Sequence, residues 1–327
     1  MHSFFIALTL ATTLAACADT QAAPPASTTP VESVTAPHLE TFTSDAAGFD
    51  THSFWFDTGH EVVVFDAQFT PSTAQQLIGE IANKTRSPIR YVVVTHPNPD
   101  KFNGAPAFQA LGARVVASEA TARAIPGVHA YKKGYFVNVA KSFTEATYPP
   151  QATVDLTFTG DLELPLTGGA KVLLHELVHP GVSSTQTVAF VPKANALVVG
   201  DLVHVKAHAW LEGGLVQGKP TPDLVAWKLA LDELRTYRGA TVYGGRGGTA
   251  TVEDAVTSQQ AYLDRMHALV RAYVKELGPK KGELSGATAG AHYKAIAASA
   301  AKELPGYAFP YLVEYGAYGL IDQVAAE

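Results

Sequence analysis

The sequence predicts a mixed α/β fold. Short runs rich in β-branched residues alternate with helical patterns between residues 51 and 250. One run, residues 89–95, is almost continuously apolar, as is typical of a strand buried on both faces. Beyond residue 251, apolar side chains recur at helical spacing. The 327-residue chain is 47% hydrophobic and 17% charged, which is ordinary for a globular protein with a sizeable core.

In the first half, two strand patterns at residues 51–56 and 61–66 flank the turn signal Thr58-Gly59-His60. Pro71 begins a helical pattern. The buried strand at 89–95 is followed by a predicted helix at 105–111 and a predicted strand at 113–117. A less regular segment follows, and we expect a loop over residues 122–149.

In the second half, we predict further strands, one helix and then a final short strand. The strand patterns cover 153–158, 171–177, 187–191, 196–199 and 241–243, and the helical pattern covers 222–234. We expect the glycine-rich run at 244–248 to turn into a helical tail from about residue 251, whose apolar stripe packs on a sheet.

The N-terminus indicates export. Residues 4–16 form an apolar run that is too short for a lasting membrane span. The run ends in Leu14-Ala15-Ala16-Cys17, which resembles the lipobox of bacterial lipoprotein signal peptides. The resemblance implies a periplasmic or outer-membrane lipoprotein that contacts the membrane only through a lipid on Cys17. An ordinary secretory signal is the alternative, since no Lys or Arg precedes the run.

The composition defines the domains and excludes some partners. Residues 18–38 are rich in Ala, Thr, Ser and Pro and are predicted to be a flexible linker, followed by a folded domain over 39–327. The only cysteine is Cys17, which excludes an intrachain disulfide and a cysteine-based zinc site. The net charge of −6 and the lack of basic runs predict no nucleic-acid partner.

Residues 95–104 carry the most informative motif. They read Thr-His-Pro-Asn-Pro-Asp-Lys-Phe-Asn-Gly and follow the predicted buried strand. This segment resembles the first metal motif of the metallo-β-lactamase superfamily, Thr-His-x-His-x-Asp-His-x-x-Gly. Residues 62–66, 196–202 and 242–247 resemble further family segments in the family order. The resemblance implies a four-layer αββα sandwich with C-terminal helices.

The resemblance also implies a zinc site, but this chain departs from the ligand pattern. Family members usually bind two zinc ions through imidazoles and carboxylates and activate a water. Matching ligand positions retain His96, Asp100 and Asp201. Counting back ten residues from Pro192 places the third-motif histidine at Val182, whereas an alternative register uses His179. The remaining histidine positions hold Asn98, Lys101 and Arg246.

These replacements change the chemistry of the expected site. Asn offers only a neutral amide oxygen, Lys has no lone pair unless it deprotonates, and Arg stays protonated. We therefore predict that Lys101 and Arg246 form ion pairs with Asp100 and Asp201, giving a salt-bridge or anion-binding site. No cofactor is expected, and zinc only if His96, Asp100 and Asp201 retain one ion.

Three functions are compatible with these retained and replaced ligand positions. We favour an exported, non-hydrolytic binding protein for a small ligand, with an anion as one candidate and a pocket formed by Asn98, His179, His208 and Arg246. A second is a divergent mononuclear metal-dependent hydrolase of ester, lactone or β-lactam-like bonds, in which His179 or His208 completes the metal site. A third is metal-free catalysis at Asp100 and Lys101, with Lys101 as the base and Arg246 holding an anionic substrate.

Overall fold

The computed structural model describes residues 37–327, and most of its strands belong to two six-stranded sheets. The first sheet follows chain order: β1 (His38–Thr43), β2 (His52–Asp57), β3 (Val62–Phe65), β4 (Ile89–Val93), β5 (Arg114–Ser118) and β6 (Leu156–Phe158). Strands β3 to β6 run parallel. The predicted signal peptide and residues 18–36 of the predicted linker lie outside the described residues.

The second sheet and a separate hairpin come from the later part of the chain. The second sheet contains β7 (Asp161–Glu163), β8 (Leu173–Glu176), β9 (Thr187–Val191), β10 (Ala196–Val205), β13 (Thr241–Gly247) and β14 (Thr249–Thr251). The hairpin pairs β11 (Gly214–Val216) with β12 (Lys219–Thr221). Strands β10 and β13 are parallel neighbours, and this pairing positions two of the site residues described below.

Helices cover the outer face of each sheet. The first group contains α1 (Pro71–Lys84), α2 (Pro99–Phe102), α3 (Ala105–Gln109) and α4 (Glu119–Gly134), and the second contains α5 (Leu224–Glu233), α6 (Val252–Leu277), α7 (Ala289–Glu303), α8 (Tyr311–Gly316) and α9 (Tyr318–Ala326). Helix α1 begins as predicted at Pro71, after Thr70 caps it by accepting a hydrogen bond from the Thr73 amide at 3.1 Å. Among the helices over residues 37–327, none is long and apolar enough to cross a membrane.

Alternating side chains of each strand build the layers. On β3, Val62 and Val64 face the helices, whereas Val63 and Phe65 join the core between the two sheets. On the other side, α6 packs on the second sheet through the predicted apolar stripe, which includes Leu263 and Met266. The predicted αββα sandwich with C-terminal helices is therefore confirmed.

Three local predictions are wrong. Residues 122–149 are not simply a loop: α4 occupies the first part and continues into a wide helical turn, Tyr135–Val139. Pro126 and Gly127, which are poor helix formers, hide this helix in the sequence. Strand β10 continues to Val205 instead of ending at Val199. The glycine-rich run at 244–248 is not only a turn: it stays in β13 through Gly247, paired with β10, and the chain reverses into β14 before α6 begins.

Candidate functional site

Side chains from three segments meet beside the parallel pair β10 and β13. Asp100 and Lys101 lie on α2, which follows β4 after a short loop that contains His96. Asp201 lies within β10, and Arg246 lies near the end of β13. We call Asp100, Lys101, Asp201 and Arg246 the salt-bridge cluster.

Two glycines allow close contacts around the site, Gly245 with Asp201 and Gly200 with Thr95. A Cβ atom on Gly245 would lie 1.8 Å from Asp201 Oδ1, and one on Gly200 would lie 2.3 Å from Thr95 Oγ1. Gly200 also has φ +52°, a left-handed conformation that side chains other than glycine rarely adopt. Position 245 therefore requires glycine, because the Asp201 carboxylate lies directly against the backbone of β13.

Each cation of the salt-bridge cluster contacts both carboxylates. Lys101 Nζ lies 2.9 Å from Asp100 Oδ2 and 2.8 Å from Asp201 Oδ1. Arg246 Nη2 lies 3.2 Å from Asp100 Oδ2, and Nη1 lies 2.8 Å from Asp201 Oδ2. The side chains of Lys101, Arg246 and Asp201 are completely buried. The ion pairs that the sequence predicts are therefore present.

Further hydrogen bonds hold the guanidinium group in place. Arg246 Nε donates to the Phe49 carbonyl oxygen and Nη2 donates to Thr51 Oγ1, both at 2.8 Å. The Thr51 hydroxyl in turn donates to Asp100 Oδ2 at 2.9 Å. The residues before β2 thus complete the site, although no motif in their sequence indicated it.

The ion pairs keep all four groups charged. Burial disfavours ionisation of Asp100, but Lys101 and Arg246 outweigh it and lower the pKa of this carboxyl. Burial also opposes the charge on Asp201, yet Arg246 and Lys101 hold its pKa well below the usual range. Burial alone would lower the pKa of Lys101, but the two carboxylates raise it. A lysine with a raised pKa is a poor base at neutral pH, which argues against the proposed catalytic role of Lys101.

Two buried histidines lie against Asp201. His96 Nε2 is 3.8 Å from Oδ2, and His204 Nε2 is 3.8 Å from Oδ1. Burial lowers the pKa of His96 to about 4 and that of His204 to about 3, so both rings are neutral at pH 7. Neither Nε2 atom has a hydrogen-bond partner among residues 37–327.

Thr95 orients the ring of His96. The Thr95 hydroxyl donates to Asp66 Oδ2 at 3.0 Å and lies 3.0 Å from His96 Nδ1. Because its only proton is used, the hydroxyl accepts from Nδ1, and Nε2 carries the lone pair. The Thr95 amide also donates to Asp66 Oδ1 at 2.9 Å, while burial raises the pKa of Asp66 to about 7.

His204 was not assigned to the site from the sequence. In a regular strand, residues three apart point to opposite faces. The pairing of β10 with β13 shifts register between Gly200 and His204, which allows His204 and Asp201 to meet on one side. Nothing in the sequence pattern indicates this irregularity.

The arrangement of these donors does not fit a zinc ion. Zinc binds carboxylate oxygens at about 2.0–2.2 Å. Each oxygen of Asp201 instead has a cationic nitrogen at 2.8 Å, and Lys101 Nζ bridges to Asp100 as a metal would. Within the described part of the chain, no group of three or more His, Cys, Asp or Glu side chains is arranged to hold a metal.

A narrow cleft with a cavity volume of about 20 Å³, room for about one water molecule, lies beside the salt-bridge cluster and includes Asp100 in its wall. We call it the aromatic cleft. Its lining consists of Phe49, Phe69, Asn98, Pro99, Asp100, Lys132, Phe136 and Trp210. Of the residues predicted to form a ligand pocket, Asn98 lies in this lining, whereas Arg246 lies in the cluster.

The other two predicted pocket residues have partners elsewhere. His179 Nδ1 lies 2.8 Å from Glu233 Oε1 on α5. His208 Nδ1 lies 3.3 Å from the Tyr262 hydroxyl on α6, and burial lowers its pKa to about 4. Val182, which the favoured register places at a ligand position, is buried in the core of the second sheet.

Comparison with known proteins identifies the fold. A family model described as the metallo-beta-lactamase superfamily matches residues 46–246. No curated protein matches the chain. A similar solved structure is a metallo-beta-lactamase from Pontibacter korlensis, with 22% identity, a TM-score of 0.51, and 70% of this chain and 94% of that chain covered.

Two further solved structures are similar at lower identity. TMB-1 has 16% identity and a TM-score of 0.50, with 70% of this chain and 92% of that chain covered. DIM-1 metallo-beta-lactamase, in a structure exposed to ceftazidime, has 16% identity and a TM-score of 0.51, with 69% and 92% covered. Identities this low show the fold alone, but the family model matches more than half of the sequence. The chain therefore belongs to the metallo-β-lactamase superfamily.

Proposed function

We propose that this chain is a non-hydrolytic member of the superfamily, in which the salt-bridge cluster replaces the metal centre, and that it acts as a binding protein for a small ligand. The observation that carries the proposal is the position of Lys101 Nζ, within 2.9 Å of both Asp100 and Asp201. A cation there provides the positive charge that a metal would otherwise provide.

The energetics of burial support this proposal. Removing one partner of a buried ion pair costs about 3–5 kcal/mol, because the remaining charge is left without compensation. A zinc ion at Asp201 would have to displace both Lys101 and Arg246. Both side chains are completely buried, so neither can move away from Asp201 without disturbing the residues packed around it. The folded state therefore opposes metal binding.

The charge balance also bears on the ligand. Asp100 and Asp201 neutralise Lys101 and Arg246, so the cluster has no unpaired positive charge. An anionic ligand would have to displace a buried carboxylate. We therefore do not propose the anionic ligand that the sequence suggested.

Elemental analysis and hydrolysis assays test the proposal together. The full chain, purified without a histidine tag from zinc-supplemented cultures, should contain well under one metal ion per chain. It should also fail to hydrolyse a chromogenic β-lactam, an aryl ester and a lactone, with or without added zinc. Stoichiometric metal that a chelator removes together with activity would establish the mononuclear hydrolase instead.

We also propose that the chain is an exported lipoprotein, on the basis of Leu14-Ala15-Ala16-Cys17. Labelled palmitate should be incorporated into the wild-type chain in a bacterial host and not into Cys17→Ser. Export of an unlabelled wild-type chain would support the ordinary secretory signal.

A further inference from the structure

One wall of the aromatic cleft comes from a segment with little buried surface. Residues 135–147 follow α4 and begin with the wide helical turn Tyr135–Val139. None of residues 130–147 is buried, although Phe136 and Phe143 in this stretch are large and apolar. Segments with few buried contacts open more readily than the core of a domain. We call residues 135–147 the cover segment.

Firm contacts flank the cover segment on both sides. Before it, Lys132 of α4 forms an ion pair with Glu212. After it, Tyr148 is buried and accepts a hydrogen bond from Asn103 Nδ2 at 3.4 Å. The chain is therefore anchored to the domain at positions 132 and 148.

Between these anchors, the polar contacts are local. The Ser142 amide donates to the Phe136 carbonyl oxygen at 3.1 Å, and Lys133 Nζ lies 2.7 Å from Glu145 Oε2. Across the described chain, the hydrogen bonds and ion pairs of the cover segment stay within residues 131–148. These contacts join the segment to itself and not to the rest of the domain, so it can move as one unit.

Two aromatic rings hold the cover segment against the domain. The ring centroid of Phe136 lies 5.1 Å from that of Phe69 and 6.1 Å from that of Phe49. The ring centroid of Phe143 lies 5.7 Å from that of Phe69 and 5.5 Å from that of Tyr148. Phe136 lines the aromatic cleft, whereas Phe143 does not. Phe136 thus fills space that the cleft would otherwise offer.

We propose that the cover segment is a lid, which opens as a unit while the rest of the domain stays folded, and that Phe136 is its plug. In the closed state, the cleft has room for about one water molecule. A larger ligand therefore reaches Asn98 and Asp100 only when the lid is open. The inference rests on the proposed function, because it describes how a small ligand would enter the cleft beside the salt-bridge cluster.

Thiol labelling of the full chain measures the opening. Cys17 is the only cysteine, so Cys17→Ser combined with Asn98→Cys places a single thiol on the cleft wall. The Asn98 side chain makes no capping hydrogen bond to α2, which makes the position suitable for substitution. The neutral reagent dithiodipyridine is much larger than the closed cleft. It should react with this thiol at least about tenfold more slowly than with Ala272→Cys, a reference on the exposed surface of α6.

Variants of the two rings distinguish a lid from a fixed wall. Phe136→Ala and Phe143→Ala should each speed labelling of Asn98→Cys about tenfold, because each loses ring contacts that hold the lid closed. Val139→Ala is the control: this side chain is 68% exposed, and the rate should not change. Circular dichroism and thermal melts check that the variants remain folded.

Two results would overturn the inference. Acceleration by Phe136→Ala alone would mean that loss of the plug makes a hole in a fixed wall, since Phe143 lies outside the cleft lining. Equal labelling rates of Asn98→Cys and Ala272→Cys would mean that the cleft is not covered.

Labelling rates and metal content are measured separately. A metal-free chain in which neither ring variant speeds labelling keeps the proposed function and loses the lid. A chain with stoichiometric zinc contradicts the proposed function, and the labelling rates still decide whether the lid opens.

Discussion

Replacing Arg246 by Met removes one cation from the salt-bridge cluster while retaining much of the side-chain volume. Arg246 is completely buried and makes four hydrogen bonds, to Phe49, Thr51, Asp100 and Asp201. After the substitution, Lys101 is the only cation for two buried carboxylates. The folded state then contains one uncompensated negative charge.

The loss of stability should be about 3–5 kcal/mol, the usual cost of removing one partner from a buried ion pair. This is a large part of the total stability of a typical domain, which is about 5–15 kcal/mol. Urea unfolding at pH 7, followed by far-UV circular dichroism, measures the change. Adding Asp100→Asn to Arg246→Met should recover at least about 1 kcal/mol, because it removes the excess charge.

A surface ion pair provides the control. Arg265 Nη1 lies 3.3 Å from Glu303 Oε2, and these side chains are 57% and 42% exposed. Exposed pairs contribute about 0–1 kcal/mol, so Arg265→Met should change stability little. If Arg246→Met costs no more than Arg265→Met, the ion pairs of the salt-bridge cluster do not stabilise the fold, and the reasoning fails.

Three further outcomes are expected. Gly245→Ala should lower the unfolding free energy by about 1–3 kcal/mol, because the added methyl group would overlap the Asp201 carboxylate. Gly248→Ala is the control: the nearest atom to its methyl group would be 3.8 Å away, so the unfolding free energy should change by less than about 0.5 kcal/mol. Equal effects of the two substitutions in urea unfolding would contradict this. Burial lowers the pKa of His204 from 6.5 to about 3, so the unfolded chain binds the extra proton and stability falls as pH decreases below 6.5. His204→Leu should therefore make the stability loss between pH 6.5 and 4.5 shallower by up to about 1.4 kcal/mol per pH unit, and an unchanged slope would show that this ring titrates normally. Replacing both Lys101 and Arg246 by His should restore stoichiometric zinc binding in elemental analysis, and a metal-free double variant would mean that more than the two cations excludes the ion.

The sequence predicted the layers of the fold because strand and helix periodicities are local properties. The run at 89–95 and the helix from Pro71 are examples, and both match the structure closely. Strand β10 was predicted too short because Gly200 and Asp201 interrupt its apolar pattern. Its continuation depends on pairing with β13, which lies some 45 residues later in the chain and leaves no local signal.

The site was only partly predictable for a similar reason. The charged members of the salt-bridge cluster stand at motif positions, so their convergence followed from the family resemblance. Thr51 and His204 join them through a loop conformation and a strand irregularity, and neither has a sequence signature. The aromatic cleft was missed because Trp210 and Phe136 come together only through tertiary packing.

The double contacts of Lys101 and Arg246 have an evolutionary consequence. If the cluster replaced a metal centre, a single reversion to histidine would remove a charge before a zinc site is complete. Such an intermediate is less stable than either the metal-bound or the ion-paired end state. Regaining a zinc site by single substitutions therefore passes through this less stable intermediate, which favours retention of the ion-paired cluster.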